Sequence, residues 1–189
     1  KLEITTLRKD KETDGRHAKI EYTNNWQEDS NRRDFTINAI YLNINGKIFD
    51  PQSGMRDLKN NNVKFIGDPN KRINEDYLRI IRFIRFSIEY KCKPEKTTID
   101  AIKINLDGVK NISKERILIE LFKIIESKNF YKIVNDIEIK KIFLLIFPEF
   151  ENLNRLTRLS EVKTNKILYK DLILAILLID EKNNHEYFC

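Results

Sequence analysis

The sequence predicts an α+β fold, in which a mixed sheet with short helices comes first and helices alone follow. Up to residue 66, short runs alternate between apolar and polar residues with period two, which indicates strands. Asn45-Gly46 is the strongest short-range hairpin signal in the chain. After Gly67-Asp68-Pro69, apolar residues recur three and four positions apart, which is typical of amphipathic helices.

The first elements alternate between strand and loop patterns. Leu2–Leu7 and Ala18–Tyr22 are predicted strands, and the polar stretch Arg8–His17 is predicted to be the loop between them. Asn31–Ala39 is predicted to be a short helix, with Ser30 or Asn31 as its N-cap.

A hairpin and a turn complete the predicted sheet region. Ile40–Ile44 and Lys47–Phe49 are the two predicted hairpin strands. Asp50-Pro51-Gln52-Ser53-Gly54 has turn composition, and a small helix is expected after it. Val63–Ile66 is then predicted to be a short strand.

The remaining chain is predicted to be helical. Pro69 suits a first helical turn, and Asn74–Phe86 is predicted to be one long amphipathic helix. Further helices are predicted over Glu95–Ile104, Ser113–Ser127, Phe130–Asn135, Ile137–Phe147 and Leu168–Ile179.

Composition excludes several classes of protein. The 189 residues carry a net charge of +6 with a pI near 9.2, which only weakly favours a polyanionic partner. The two cysteines, Cys92 and Cys189, lack the spacing of a zinc site or disulfide framework, so a cytoplasmic location is predicted. The apolar run Leu172–Ile179 is too short to cross a bilayer, and no membrane association is expected.

Asp76 and Arg79 stand three residues apart on the predicted helix, where side chains are neighbours. A carboxylate accepts from an exocyclic amino group and an arginine donates to a ring acceptor, so the pair could read the edge of cytosine or adenine. Arg82 and Arg85 extend the pair into a basic stripe suited to a triphosphate or an RNA backbone. The alternative is an intrahelical ion pair beside surface arginines.

Arg32 and Arg33 form a second candidate cluster. Two arginines at a predicted helix start oppose the helix dipole, which makes them candidates for an anionic or hydroxyl-bearing ligand. The alternative is a solvated first turn in which Asp34 is a favourable acid.

Two weaker candidates lie nearer the beginning of the chain. Glu3 lies on a predicted strand, where a carboxylate binds a divalent metal or simply faces water. In Thr13-Asp14-Gly15-Arg16-His17, Gly15 permits a tight turn and Arg16 could reach a phosphate, although a plain surface loop is equally consistent.

Taken in order, these clusters resemble consecutive motifs of one family, the class II tRNA nucleotidyltransferases (CCA-adding enzymes) and bacterial poly(A) polymerases. This group falls within the polymerase-beta-like nucleotidyltransferases. The matching segments are Leu2–Arg8, Thr13–Ala18, Arg32–Ile40, Asp50-Pro51 with Gly54, Phe65–Pro69, Glu75–Phe83 and Ile112–Ile117.

The resemblance implies roles for individual residues. Arg33 and Asp34 would hold the ribose of the incoming nucleotide, and Asp76 with Arg79 would select its base. Arg82 would support the pocket or the phosphates.

The resemblance also covers the weaker candidates and the neck. Glu3 would be a catalytic carboxylate and a metal ligand, and Asp14 and Arg16 would belong to a flexible loop. Glu115 and Arg116 would stabilise the helical neck rather than contact substrate.

The implied reaction is template-independent addition of CMP and AMP, from CTP and ATP, to the 3′ end of tRNA with Mg²⁺. The implied domains are a partial palm over residues 1–68, a helical neck over 69–130 and the start of a body domain over 131–189.

The family's Gly-Gly and Asp-x-Asp segment precedes the strand that opens here at Leu2, so the chain alone is expected to be an inactive fragment. Two alternatives stay open. The chain could come from a poly(A) polymerase, or it could be a non-catalytic RNA- or nucleotide-binding remnant or half of a split enzyme.

Overall fold

The computed structural model describes residues 6–13, 18–161 and 170–178. The described chain opens with an antiparallel pair of strands, β1 (Arg8–Thr13) and β2 (Ala18–Tyr22), in which Arg8 faces Tyr22. The prediction of β2 is confirmed, whereas the prediction that Arg8 to Thr13 is loop is wrong. A two-stranded ribbon is stabilised by backbone pairing, so its strands need no apolar alternation.

A short helix follows, α1 (Trp26–Asn31), capped by the Asn25 side chain on the N–H of Gln27 at 2.9 Å. The predicted helix over residues 31–39 is wrong. Phe35 is extended and forms a single antiparallel bridge with Phe65, and only Thr36–Asn38 makes a 3₁₀ turn. Burial of both phenylalanines against the core outweighs the local helical pattern.

The predicted hairpin is confirmed as β3 (Tyr41–Leu42) and β4 (Ile48–Phe49). Gly46 has φ of 76° in its turn, a conformation that glycine adopts without a steric cost. The small helix expected next is α2 (Gly54–Lys59). The strand predicted over residues 63–66 is reduced to the single bridge at Phe65, so that prediction is wrong.

The rest of the described chain is helical. The α-helices are α3 (Pro69–Glu75), α4 (Leu78–Tyr90), α5 (Lys96–Asn105), α6 (Lys114–Ile125), α7 (Ile137–Ile146), α8 (Arg155–Glu161) and α9 (Lys170–Leu178). The 3₁₀ helices are Leu106–Asn111, Phe130–Asn135 and Pro148–Asn154. The later predicted helices are thus confirmed to within a few residues at each end, except that Phe130–Asn135 is 3₁₀ rather than α.

The single helix predicted from Asn74 to Phe86 is interrupted at Asp76. This residue ends α3 in an extended conformation, with φ of −158° and ψ of 106°, and α4 begins at Leu78. Its carboxylate accepts a hydrogen bond from the Leu78 N–H at 3.1 Å, which satisfies a backbone donor at the start of α4. Asp76 therefore lies at a junction between two helices rather than on the face of one.

One hydrophobic core joins the first part of the chain to the helices. Phe35, Phe65, Phe83 and Phe86 form an aromatic cluster with ring centroids 4.7 to 6.2 Å apart. The α+β class is confirmed, with two small antiparallel sheets and a majority of helix in the described ranges. None of the helices within those ranges is long and apolar enough to cross a bilayer.

Candidate nucleotide-binding cleft

The predicted nucleotide-binding residues line one open cleft of about 520 Å³. The cleft lies where the segment after α1, the α3–α4 junction and α6 meet. Its lining residues are Arg8, Arg32, Arg33, Asp34, Asn38, Asp76, Leu78, Arg79, Arg82 and Arg116. Guanidinium groups outnumber carboxylates in this lining, so the cleft is suited to an anionic ligand.

Asp29 fixes the first two arginines of the cleft from behind. Its carboxylate is fully buried and accepts from Arg32 at 2.5 Å and from Arg33 at 2.9 Å. It also accepts from the Tyr41 hydroxyl at 2.8 Å and from the backbone N–H of Arg8 at 3.2 Å. The Tyr41 hydroxyl and the Arg8 N–H fix the carboxylate of Asp29, and that carboxylate in turn holds both guanidinium groups beside the cleft.

The hydrogen bonds decide the ionisation of Asp29 and Tyr41. Burial alone would raise the pKa of Asp29, but the bonds from Tyr41, Arg32, Arg8 and Arg33 lower it to about 2. Burial and the bond to Asp29 raise the pKa of Tyr41 to about 12. Asp29 is therefore an anion and Tyr41 a neutral donor at neutral pH.

The structure corrects the position predicted for Arg32 and Arg33. Both follow the last turn of α1 instead of starting a helix, so the helix dipole favours rather than opposes their charges. Their side chains are also partly buried and paired, which excludes a solvated first turn.

Asp34 connects this segment to α4. Its carboxylate accepts from Arg82 Nε at 2.6 Å and from the Asn38 amide at 2.8 Å. Burial raises the pKa of Asp34, but the charge and hydrogen bond of Arg82 outweigh that effect and leave the pKa below its ordinary value. Arg82 also lies 3.8 Å from the buried carboxylate of Glu120.

Arg72 holds the same segment against α3. Its Nη2 donates to the backbone carbonyls of Arg32, at 2.8 Å, and of Arg33. Its Nη1 donates to Glu75 at 2.6 Å, and its own carbonyl accepts from Arg79 at 2.6 Å. A single mostly buried guanidinium thus links the two walls of the cleft.

Asp76 and Arg79 both line the cleft, but the prediction that they are neighbours on one helix is wrong, because the helix is broken at Asp76. The Asp76 carboxylate oxygen that does not bind the Leu78 N–H accepts a hydrogen bond from Arg116 at 2.7 Å. Arg79 donates to Glu75 at 2.5 Å. Each residue is positioned by a partner of its own.

The predicted basic stripe ends before Arg85. This arginine donates to Glu120 at 2.8 Å and stacks on Phe86, with its guanidinium carbon 4.0 Å from the ring centroid. Glu120 also accepts from Lys123 at 2.8 Å. Arg85 therefore belongs to a buried ionic cluster and not to the cleft lining.

Three residues of the site were not predicted to act there. Asp29 stands three and four residues before Arg32 and Arg33, a spacing that is visible in the sequence. Arg72 gave no sequence signal, because its contacts with the carbonyls of Arg32 and Arg33 span about 40 residues. Arg116 was expected to support the neck only. The sequence shows that Arg116 lies in the matched segment Ile112–Ile117. It does not show the contact of Arg116 with Asp76, which is 40 residues away.

The described part of the cleft does not suit a divalent cation. Asp34 and Asp76 are its acids, and each carboxylate is already paired with an arginine. Within the described ranges, three or more potential metal ligands do not cluster anywhere. Glu3, Asp14 and Arg16, predicted for metal binding and for the flexible loop, lie outside the described residues.

Two family models match the chain in order. Residues 1–64 match the poly A polymerase head domain, and residues 92–153 match the probable RNA and SrmB-binding site of polymerase A. Human mitochondrial CCA tRNA nucleotidyltransferase 1 is 50% identical over 127 residues, covering 66% of this chain and 29% of the human protein. The CCA-adding enzyme of Staphylococcus haemolyticus is 34% identical, covering 96% of this chain and 45% of that enzyme.

Solved structures agree with these relatives. A tRNA nucleotidyltransferase complexed with a primer tRNA and an incoming ATP analogue has a TM-score of 0.70 and 27% identity, covering 85% of this chain and 51% of that one. The CCA-adding enzyme of Bacillus stearothermophilus in complex with CTP has a TM-score of 0.61 and 30% identity, covering 68% of this chain and 31% of that one. The chain thus spans less than half the length of the two curated relatives named above.

Proposed function

The chain belongs to the family of class II CCA-adding enzymes and bacterial poly(A) polymerases, and from that membership we propose that it selects the incoming nucleotide in an enzyme that adds CMP and AMP to tRNA 3′ ends. The observation that carries the proposal is the convergence of Arg33, Asp34, Asp76, Arg79 and Arg82 on one cleft. They come from two segments of the chain, residues 33–34 and 76–82, that are separated by about 40 residues in sequence.

The base is recognised by Asp76 and Arg79. A carboxylate has several acceptor sites, so Asp76 can accept from an exocyclic amino group while Arg116 stays bound. Among the described residues, both hydrogen bonds of Arg79 use Nη1, which leaves Nε and Nη2 as donors for a ring nitrogen. Cytosine and adenine present this amino group and acceptor side by side, whereas uracil and guanine present a carbonyl and an N–H.

The sugar is bound by Arg33 and Asp34. Asp34 is an anion held by Arg82 and Asn38, so it can accept from a ribose hydroxyl. Among the bonds within the described ranges, Arg33 donates to Asp29 through Nε and Nη2, and Nη1 is left as a donor for other acceptors. A contact with the 2′-hydroxyl would separate ribonucleotides from deoxyribonucleotides.

The reaction is attack of the RNA 3′-hydroxyl on the α-phosphorus of the bound nucleotide. A new oxygen–phosphorus bond forms and the bond to pyrophosphate breaks. The residues of the cleft bind and orient the nucleotide, and no chemical step is assigned to them. The use of Mg²⁺, with Glu3 as a ligand, is a proposal that follows from family membership alone.

The proposed partners are CTP, ATP and the 3′ end of tRNA. The solved relatives bound to CTP, or to tRNA with an ATP analogue, support this choice. A cytoplasmic location is also proposed, although several relatives carry a mitochondrial designation in their names.

Equilibrium binding of nucleotides to the 189-residue chain tests the proposal. We expect calorimetry to give CTP and ATP dissociation constants about tenfold lower than those of UTP and GTP, since one mismatched edge costs about 1.4 kcal/mol. We expect dCTP to bind more weakly than CTP. Binding of ATP without CTP would instead indicate a poly(A) polymerase, and equal binding of all four would reject base selection by this cleft.

A further inference from the structure

A second pocket lies at the far end of α4 from the cleft. It is an open pocket lined by the C-terminal end of α4, the 3₁₀ helix Phe130–Asn135 and the start of α7, and has a volume of about 200 Å³. Arg79 in the cleft and Lys91 at this pocket are twelve residues apart, which corresponds to roughly 18 Å along a helix axis. The two sites are therefore separate.

The floor of this pocket is apolar and ring-sized. Ile88, Cys92, Ile133 and Ile139 line it, and none is more than 6% exposed. A dry apolar cavity of about 150 Å³ is enough to bind benzene. A pocket of this volume therefore accommodates a one- or two-ring base, but not a whole nucleoside triphosphate.

Ser87 lines the pocket beside these apolar residues. The side chain is 3% exposed, and its Oγ has no hydrogen-bond partner among the described residues. The backbone carbonyl of Ser87 does accept from the Cys92 N–H at 2.9 Å, so the backbone is satisfied while the hydroxyl is not. An unpaired buried hydroxyl is unfavourable, and a ligand with a polar edge would satisfy it.

The mouth of the pocket is positively charged. Lys91 and Lys132 are adjacent there, and contact with Lys132 lowers the pKa of Lys91. Within the described ranges, no carboxylate lies within 4 Å of the ammonium groups of Lys91, Lys93 or Lys132. Asp136 also lines the pocket, but its carboxylate caps α7 by accepting from the Ile139 N–H. An anion at the mouth would relieve the repulsion between the two lysines.

A shallow cleft of about 380 Å³ continues the same surface. Lys91 and Lys93 line both depressions, and the asparagines at positions 60, 61 and 62 line the second one together with Glu95, whose carboxylate is bound by Asn62 at 3.2 Å and lies 3.8 Å from the Lys64 ammonium. The shared lysines thus lie between a ring-sized pocket and a polar groove. An apolar pocket next to basic side chains suits a nucleic acid strand, in which bases and phosphates alternate.

We propose that this pocket binds one nucleotide of an RNA strand, with the base on the apolar floor near Ser87 and the phosphate between Lys91 and Lys132. The family model described as a probable RNA-binding site covers residues 92–153, which include part of the lining. The inference takes RNA as partner from the proposed function, but it uses none of the residues of the cleft.

The test is anisotropy of a fluorescein-labelled single-stranded RNA oligonucleotide, titrated with the 189-residue chain over a series of salt concentrations. The double variant Lys91→Gln/Lys132→Gln should bind about tenfold more weakly. Its plot of log affinity against log salt should be shallower by about 0.7, because the two lysines neutralise one phosphate and each lost phosphate contact on a single strand removes about 0.7. Ser87→Ala should weaken binding about threefold, without changing the slope or destabilising the fold.

The matched control is Lys59→Gln/Lys141→Gln, which removes the same charge from two exposed lysines outside both pockets. An equal loss of affinity and slope in this control would show general electrostatic attraction and overturn the proposal. Unchanged binding by Ser87→Ala and by the bulkier Ser87→Val would overturn it as well.

A competition arm separates RNA from free nucleotides. Unlabelled RNA should displace the probe at far lower concentration than CMP or AMP, and equal potency of the mononucleotides would reject an RNA site. CTP binding should be the same in wild type and in Lys91→Gln/Lys132→Gln. Failure of this inference, with CTP binding intact, is thereby distinguishable from failure of the proposed function.

Discussion

Arg116 on α6 donates a 2.7 Å hydrogen bond to the carboxylate of Asp76 at the α3–α4 junction. The other oxygen of that carboxylate accepts from the N–H of Leu78. The orientation of Asp76 is therefore set by a backbone group on one side and by a distant helix on the other. The group proposed to read the base is held in place before the nucleotide arrives.

Replacing Arg116 tests this arrangement. In Arg116→Gln the Asp76 carboxylate loses its charged partner, and we expect CTP and ATP to bind about tenfold more weakly, as for a lost charge-assisted hydrogen bond. Calorimetric titration measures the change. Lys110→Gln is the charge-matched control, because Lys110 lies on the exposed segment before α6 and pairs with Asp107 outside the cleft. Equal weakening in both variants would argue against a specific role for Arg116.

Gly108 determines the position of Tyr77, the residue between Asp76 and Leu78. A Cβ atom at Gly108 would overlap the Tyr77 ring, far inside van der Waals contact. We expect Gly108→Ala to displace that ring, to reduce the free energy of unfolding by about 1–3 kcal/mol, and to weaken selection between CTP and UTP. Urea denaturation and nucleotide titration check the two effects. If Gly108→Ala left both the free energy of unfolding and the selection between CTP and UTP unchanged, the result would contradict this packing.

Asp29 predicts a dependence of stability on pH. Its pKa is about 2 in the folded chain against an ordinary 3.8, so its ionisation stabilises the fold by about 2 kcal/mol above pH 4. That contribution is lost as the pH falls from 4 toward 2, where the folded-state carboxylate is protonated. Asp29→Asn should therefore be less stable than wild type at pH 7, by a margin that narrows at pH 2. A stability difference between wild type and Asp29→Asn that does not change with pH would exclude the ionisation assigned to Asp29.

Ser53 occupies the left-handed region, with φ of 57° and ψ of 32°, at the turn before α2. This conformation costs a residue with a Cβ about 1–2 kcal/mol, and glycine avoids the cost. Ser53→Gly should raise the free energy of unfolding by about 1 kcal/mol. Ser113→Gly is the matched control, because Ser113 has an ordinary φ of −63° and should gain nothing. Destabilisation by Ser53→Gly would indicate that the side chain is needed.

The sequence predicted the elements whose pattern is local. The strand β2, the hairpin around Gly46 and the ends of α5 and α7 follow from alternation, turn chemistry and helical spacing. It failed where a contact distant in sequence decides the conformation. Phe35 pairs with Phe65 instead of continuing a helix, because both side chains are buried there.

The same distinction applies to the site. The residue types expected to bind a nucleotide were identified from motif order, and they do converge on one cleft. The supports from Arg72 and Glu120 were not predictable, since these residues gain their roles only when distant segments pack. Asp29 differs, because it lies three and four residues from Arg32 and Arg33 and its pairing with them follows a local spacing. Asp76 and Arg79 were predicted to be a helical pair, but the break at Asp76 gives each its own partner.

Base selection by this cleft is tested by the ratio of UTP to CTP dissociation constants, measured by calorimetry in wild type, Asp76→Asn and Arg79→Gln. We predict a ratio of about ten in wild type that falls toward one in both variants, because the amino group and the ring nitrogen lose their specific partners. Asp100→Asn, which changes an exposed acid on α5, should keep the wild-type ratio. An unchanged ratio in Asp76→Asn and Arg79→Gln would contradict the assignment of these two residues to base selection.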